Sequence, residues 1–417
     1  MSDRRRWTIV CLLMFGMLIA YVDRANISVV LATRQFKDLF HLSDAERGAI
    51  NSSFFWSYAL LQIPAGFLVD RFGVKAPYII GFLLWSGVSA GTSFAGTIEQ
   101  ILILRMMLGI GESVVTPASL RWIRFNVVEA RRGLALAVYF AGTKLGPAVG
   151  ATAAALLIES YGWRAMFVIL GLGGLVWLIP WIALVRNDDR QLEAVSARSS
   201  GAPVLPFSAV MKTPAIWGVI IGTFCYNYFV YFSMTWLPAY LVERRHLSLN
   251  SMGLYTMFSF GGMALVSIFA GWAADTLIAR GGDAIRIRKA FTIAGFVVAS
   301  SEVVGAMSSS TSVAVLFAVI SLAGLGLATA NYWALTQTLL PGAAIGSITG
   351  VQNCASNMGG VVAPLLTGWL KQVSGGYSVP MQAIWLFLIA GIGAYIFLVR
   401  PEYAPKLTTA AVPQEST

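Results

Sequence analysis

The chain has 417 residues, of which 57% are hydrophobic and only 12% charged, and its mean hydropathy is +0.72. A water-soluble domain carries roughly twice that charge, so the composition excludes a soluble globular protein and points to a chain solvated by lipid. The net charge of +10 would suit a nucleic-acid partner, but the placement of the basic residues gives it another origin.

Apolar runs of about 20 residues or more predict twelve membrane-crossing helices, over 7–31, 48–69, 76–96, 99–120, 132–158, 164–185, 214–241, 251–277, 289–308, 312–339, 345–370 and 381–399. The fold class is an all-α membrane protein, because a helix satisfies its own backbone polar groups in lipid. The first stretch follows the basic run Arg4, Arg5 and Arg6 as a signal peptide would. It is too long for one and ends in Asp23-Arg24 without a small-residue cleavage site, which predicts a retained helix. Polar residues gather at 187–212 and divide the chain into a six-helix bundle at 1–186, a linker, a second bundle at 213–400 and a short tail at 401–417. The second stretch runs into Gly66-Phe-Leu-Val-Asp70-Arg71-Phe-Gly73-Val-Lys75, and Gly271-Trp-Ala-Ala-Asp275 repeats its Gly-x-x-x-Asp pattern after the eighth. Such a repeat fits two pseudo-symmetric bundles.

Of the 29 Lys and Arg residues, 19 fall on the side that holds the N-terminus and seven on the other. The positive-inside rule then predicts that both termini are cytoplasmic. The basic charge follows from topology, and no nucleic-acid partner is expected. The three cysteines, Cys11, Cys225 and Cys354, lie within apolar stretches, and the two histidines, His41 and His246, lie in or near loops. That pattern predicts no disulfide framework, no metal site, no cofactor and no enzyme.

Asp23, Arg24, Arg105, Glu112 and Lys144 are ionisable groups inside apolar stretches. Charge in hydrocarbon is costly and marks an ion or substrate path, so the chain is expected to move a charged solute. With a rise of about 1.5 Å per residue, Asp23 on the ascending first stretch and Arg105 on the descending fourth reach similar depths in the outer third. Pairing between them is predicted. Glu112 lies roughly 10 Å deeper, where Lys144 on the fifth stretch also arrives, so a chain of alternating charge is expected from the outer third to the middle.

Twelve helices in two halves and the Gly-x-x-x-Asp-Arg-x-Gly-x-Lys loop resemble the major facilitator superfamily over essentially the whole chain. Within it, Tyr21-Val-Asp-Arg-Ala-Asn26, Tyr58-x-x-x-Gln62-Ile-Pro64-x-Gly66, Arg105-x-x-x-Gly109-x-x-Glu112-x-x-x-x-Pro117 and Trp236-Leu-Pro-x-Tyr240-Leu resemble the anion:cation symporters. These include bacterial proton-coupled importers of sugar acids such as galactonate and glucarate. The resemblance implies that Asp23 and Glu112 carry protons. It implies that Arg24, Arg105 or Lys144 meets an organic anion, with Tyr21, Tyr58, Thr143, Asn331, Trp333 and Asn353 around it. It also implies that Asp70, Arg71, Lys75 and Asp275 act in gating. The expected setting is a monomer in the lipid bilayer of a bacterial inner membrane. Where the sugar-acid importers resemble Ser-Gly-Gln, this chain has Ala141-Gly142-Thr143-Lys144, which favours a dianion or a less hydroxylated acid.

Two rival readings remain at this point. Gly133, Gly142, Gly146-Pro147 and Gly150 follow a spacing that resembles the fifth-helix signature of proton-driven drug exporters, although small residues at that spacing also let helices pack closely. A transporter-like anion sensor is the other.

Overall fold

The structure, a computed structural model, describes residues 1–186, 211–339 and 345–403. Most of the expected linker and the tail from residue 404 lie outside these residues. The described residues contain no strand. Nine of their helical stretches are long and apolar enough to cross a membrane.

The helices are α1 (Asp3–Ala32), α2 (Arg34–Phe40), α3 (Asp44–Phe72), α4 (Lys75–Gly91), α5 (Ile98–Glu112), α6 (Val115–Asn126), α7 (Glu129–Gly173) and α8 (Leu178–Leu184). After the linker come α9 (Pro214–Thr235), α10 (Leu249–Ala279), α11 (Ala284–Ala299), α12 (Glu302–Met307), α13 (Thr311–Leu339), α14 (Ile345–Ser374) and α15 (Ser378–Gly393). Their ends follow local chemistry. Ser43 opens α3 with a reciprocal box, its hydroxyl accepting from the Glu46 amide while its own amide donates to the Glu46 carboxylate at 2.8 Å. Pro117 has no N–H to give the Ser113 carbonyl, and the fourth apolar stretch breaks there into α5 and α6. Pro238 likewise ends α9 before a short π-helical turn, Tyr240–Arg244. In α7 the chain turns at Gly162, whose φ of 82° is open to glycine without strain, so the fifth and sixth expected stretches meet there.

Helices before the linker pack chiefly on one another, and so do those after it. The two sets meet mainly along α3 against α14 and α7 against α10. Close approach is possible because Gly48 faces the Pro364 carbonyl, Gly360 faces the Phe55 ring and Gly253 faces Thr152. Within the first set, Gly142, Gly146 and Gly150 lie against the backbone of α1 at Met14, Leu18 and Val22. Three of the four glycines whose spacing resembles an exporter signature thus serve helix packing, while Gly133 has open space beside it. Outward faces are apolar, as in Leu60, Ile63 and Phe67 on α3, which are about 70% exposed. This is the inverse of a water-soluble bundle and the surface that hydrocarbon solvates.

Candidate functional site

The embedded charges converge inside the first set. Arg24 on α1 donates through Nε to Glu112 Oε2 on α5 at 2.7 Å, and both side chains are buried. Three rings hold the guanidinium, with Tyr21 and Tyr58 each 4.4 Å away and Phe54 4.7 Å away. Such contacts favour a desolvated cation. Arg24 Nη2, Glu112 Oε1 and Arg105 Nε are buried without a hydrogen-bond partner among the described residues. The pair is therefore electrostatically closed but not fully satisfied, a condition that favours rearrangement when another charge arrives.

This arrangement gives the expected row of charges its partners. The Asp23 carboxylate accepts not from Arg105 but from Ser89 Oγ at 2.7 Å and from Asn26 Nδ2 at 3.2 Å. Arg105 Nη1 instead donates to the Asp23 backbone carbonyl at 3.2 Å. Glu112 pairs with Arg24, not with Lys144. The reason is the tilt of side chains toward the N-terminus of their own helix. Arg24 on ascending α1 leans inward and Glu112 on descending α5 leans outward, closing the roughly 10 Å that helical rise places between them.

Lys144 lies on α7 at the seam between the two sets, with Nζ 5.8 Å from the Tyr226 ring on α9. It has no carboxylate partner among the described residues. The other expected ligand-facing residues divide. Thr143 Oγ1 donates to its own helix at Phe140, and Asn331 is fully buried and donates to Leu327. Trp333 rests beside Tyr332 at a ring distance of 5.4 Å. Asn353 donates to Gln62 Oε1 at 2.8 Å, a bond between the sets. Phe54, Ser89 and Gln62 were not anticipated as site residues. Gln62 and Ser89 were visible as polar residues in apolar runs, whereas nothing in the sequence distinguishes Phe54 from other aromatic lining.

The residues expected to act in gating lie at the face that carries the chain's start. Asp70 pairs with Arg121, Arg71 lies over the Phe72 ring, Lys75 donates to the Ile182 carbonyl and Asp275 pairs with Arg288 at 2.9 Å. Each of these contacts stays within one set. If they govern switching and not recognition, Asp70→Asn should lower the transport rate severalfold with an unchanged order of substrate preference. A substrate-competition series would detect a changed order.

At the opposite face the sets are bound by an ion network that sequence reasoning missed. The Glu243 carboxylate accepts from Lys37 at 2.9 Å, Lys371 at 2.9 Å and the Tyr377 hydroxyl at 2.8 Å, and forms an ion pair with Arg47 at 3.0 Å. Asp44 accepts from Arg47 and Lys371, each at 2.7 Å. Burial pushes the Glu243 carboxyl up, but Arg47, Lys37 and Lys371 outweigh it and hold the group down at about 2. Its contribution is present above the ordinary carboxylate value of about 4.3 and is lost only as pH falls through the depressed one. This network should not respond between pH 5 and 8. Glu243→Gln removes charge-assisted bonds worth about 1.5–3 kcal/mol each. Thiol labelling of a Ser52→Cys probe, with the native cysteines replaced by serine, should then rise by at least about tenfold; unchanged labelling would mean that the network does not hold this face shut.

The sequence pattern of the Major Facilitator Superfamily matches residues 13–364. The chain is 29% identical to the probable L-galactonate transporter of Escherichia coli (strain K12), over 95% of this chain and 90% of that protein. It is 25% identical to the hexuronate transporter of Bacillus subtilis (strain 168), over 94% and 92%. It is 29% identical to the chloroplastic ascorbate transporter of Arabidopsis thaliana, over 92% and 73%. A bacterial homologue of the human lysosomal transporter Spinster, in an inward-facing and unoccupied conformation, shares the fold with a TM-score of 0.77 at 17% identity, covering 98% of this chain and 100% of that one.

Proposed function

The chain belongs to the Major Facilitator Superfamily, and from that premise we propose that it is a proton-coupled symporter that carries an organic anion, a sugar acid or another carboxylate, into the cell. The observation that carries the reading is Lys144, a cation at the seam of the two helix sets with no acidic partner among the described residues. A carboxylate arriving between the sets would supply that partner. Relatives named for galactonate and hexuronate support the same substrate class.

Coupling follows from the Arg24–Glu112 pair. A buried carboxylate that loses its counter-charge favours its protonated form. When the substrate anion draws Arg24 toward itself, Glu112 takes a proton, and Asp23, held by Ser89 and Asn26, is the second acid. Anion and proton thus enter together. With the face that carries the chain's start in the cytoplasm, as the positive-inside rule favours, the Glu243 network closes the outer face in this reading. Twelve helices in two bundles, acting as a monomer in a bacterial inner membrane, complete the reading.

Proteoliposome counterflow and acid-outside uptake test it, with labelled galactonate, glucarate, tartrate, an aromatic dicarboxylate and a lipophilic cation. Acid-driven uptake of one anion is expected. Transport of the cation alone, against the proton gradient, would establish an exporter. Binding without flux would establish a sensor.

A further inference from the structure

Below the Arg24–Glu112 pair, the first helix set contains a file of hydroxyls that substrate recognition does not use. Glu112, Thr116 and Ser119 stand at i, i+4 and i+7, so they share one face of the broken α5–α6 rod as it descends toward the terminal face. Tyr58 and Thr116 are joined hydroxyl to hydroxyl at 3.3 Å. Tyr139 on α7 lies near Thr116 and Ser119, and Tyr78, in the first turn of α4, lies near Ser119, each beyond a well-formed hydrogen bond. Ser119, Tyr139 and Tyr78 are fully buried. None of these three hydroxyls closes a hydrogen bond of normal length and angle among the described residues, and neither does Glu112 Oε1.

One orphaned buried hydroxyl would be a packing defect, since native interiors satisfy nearly all such groups. Three that lie near one another in a row below an orphaned carboxylate oxygen have a different explanation. Polar side chains gathered in this way bind internal water, which bridges groups too far apart to bond directly. We propose that Thr116, Ser119, Tyr139 and Tyr78, with bound water, form a proton relay that connects Glu112 to the terminal face, separate from the path of the anion.

The proposal rests on the proton-coupling reading above. In each step an oxygen accepts a proton on one side and releases its own on the other. One proton leaves the Glu112 carboxyl, one arrives beside Tyr78, and no bond other than O–H changes. The charged groups around Glu112 are Arg24, Asp23 and Arg105, all on α1 or α5. A route through groups that carry no charge at neutral pH can conduct a proton while repelling or binding no anion.

Tyr139→Phe, Tyr78→Phe and Ser119→Ala each remove one oxygen and keep the packing volume nearly unchanged. The test compares two assays in proteoliposomes, with labelled galactonate or whichever anion of the panel exchanges fastest. Counterflow needs no net proton movement, whereas acid-driven uptake does. We expect Tyr139→Phe and Ser119→Ala to slow acid-driven uptake roughly tenfold, equivalent to about 1.4 kcal/mol at the barrier, with counterflow within about twofold of the unsubstituted protein. Parallel loss in both assays would reveal a structural role and overturn the relay, and so would unchanged uptake in all three variants. If the unsubstituted protein exchanges an anion but shows no acid-driven uptake, the symport reading itself fails and the relay with it.

Discussion

Glu112→Gln is expected to abolish proton-driven accumulation of the anion, with uphill uptake falling by more than about 100-fold, while exchange of labelled for unlabelled anion persists. The amide keeps an acceptor for Arg24 Nε, which now bonds Glu112 Oε2 at 2.7 Å, so the local geometry survives. What disappears is a group able to alternate between charged and protonated forms. Asp23→Asn should give the same phenotype by a gentler change, because Ser89 still has an oxygen to donate to and Arg105 bonds the backbone carbonyl of residue 23, not its side chain. Uphill uptake retained in both variants would remove these acids from the coupling mechanism.

Lys144→Met should raise the KM for the transported anion about 10- to 100-fold, the loss of one charge-assisted contact worth about 1.5–3 kcal/mol. Stability should change little, since no carboxylate among the described residues is left behind. Arg24→Met is the contrasting case. It strands the Glu112 carboxylate in the interior and should destabilise the protein by about 3–5 kcal/mol. Thermal unfolding in detergent separates the two: a Lys144 variant with normal KM and a lowered Tm would make Lys144 a structural cation and remove the observation on which the substrate class rests.

Membrane class, the positions of the apolar helices and the identities of the embedded charges were legible in the sequence, because hydropathy and helix-breaking chemistry are local properties of the chain. The proline-linked break at Pro117 and the turn at Gly162 shift helix ends without moving any of Asp23, Arg24, Arg105, Glu112 or Lys144 out of its helix. Which charge meets which was not legible. Depth along each helix axis set Asp23 level with Arg105 and Glu112 level with Lys144, whereas the folded chain joins Arg24 to Glu112 and leaves Lys144 facing Tyr226. Axial rise ignores the lean of side chains on antiparallel helices, and a long arginine turns that lean into several ångströms of reach. The same limit hid the Glu243 network, whose partners at Lys37, Arg47 and Lys371 come from distant parts of the chain. The sequence by itself determined a lipid-solvated helical transporter scaffold with charge in its interior; tertiary packing alone decided the pairings, because a contact between helices depends on side-chain direction and interhelical distance, and neither is a property of one helix.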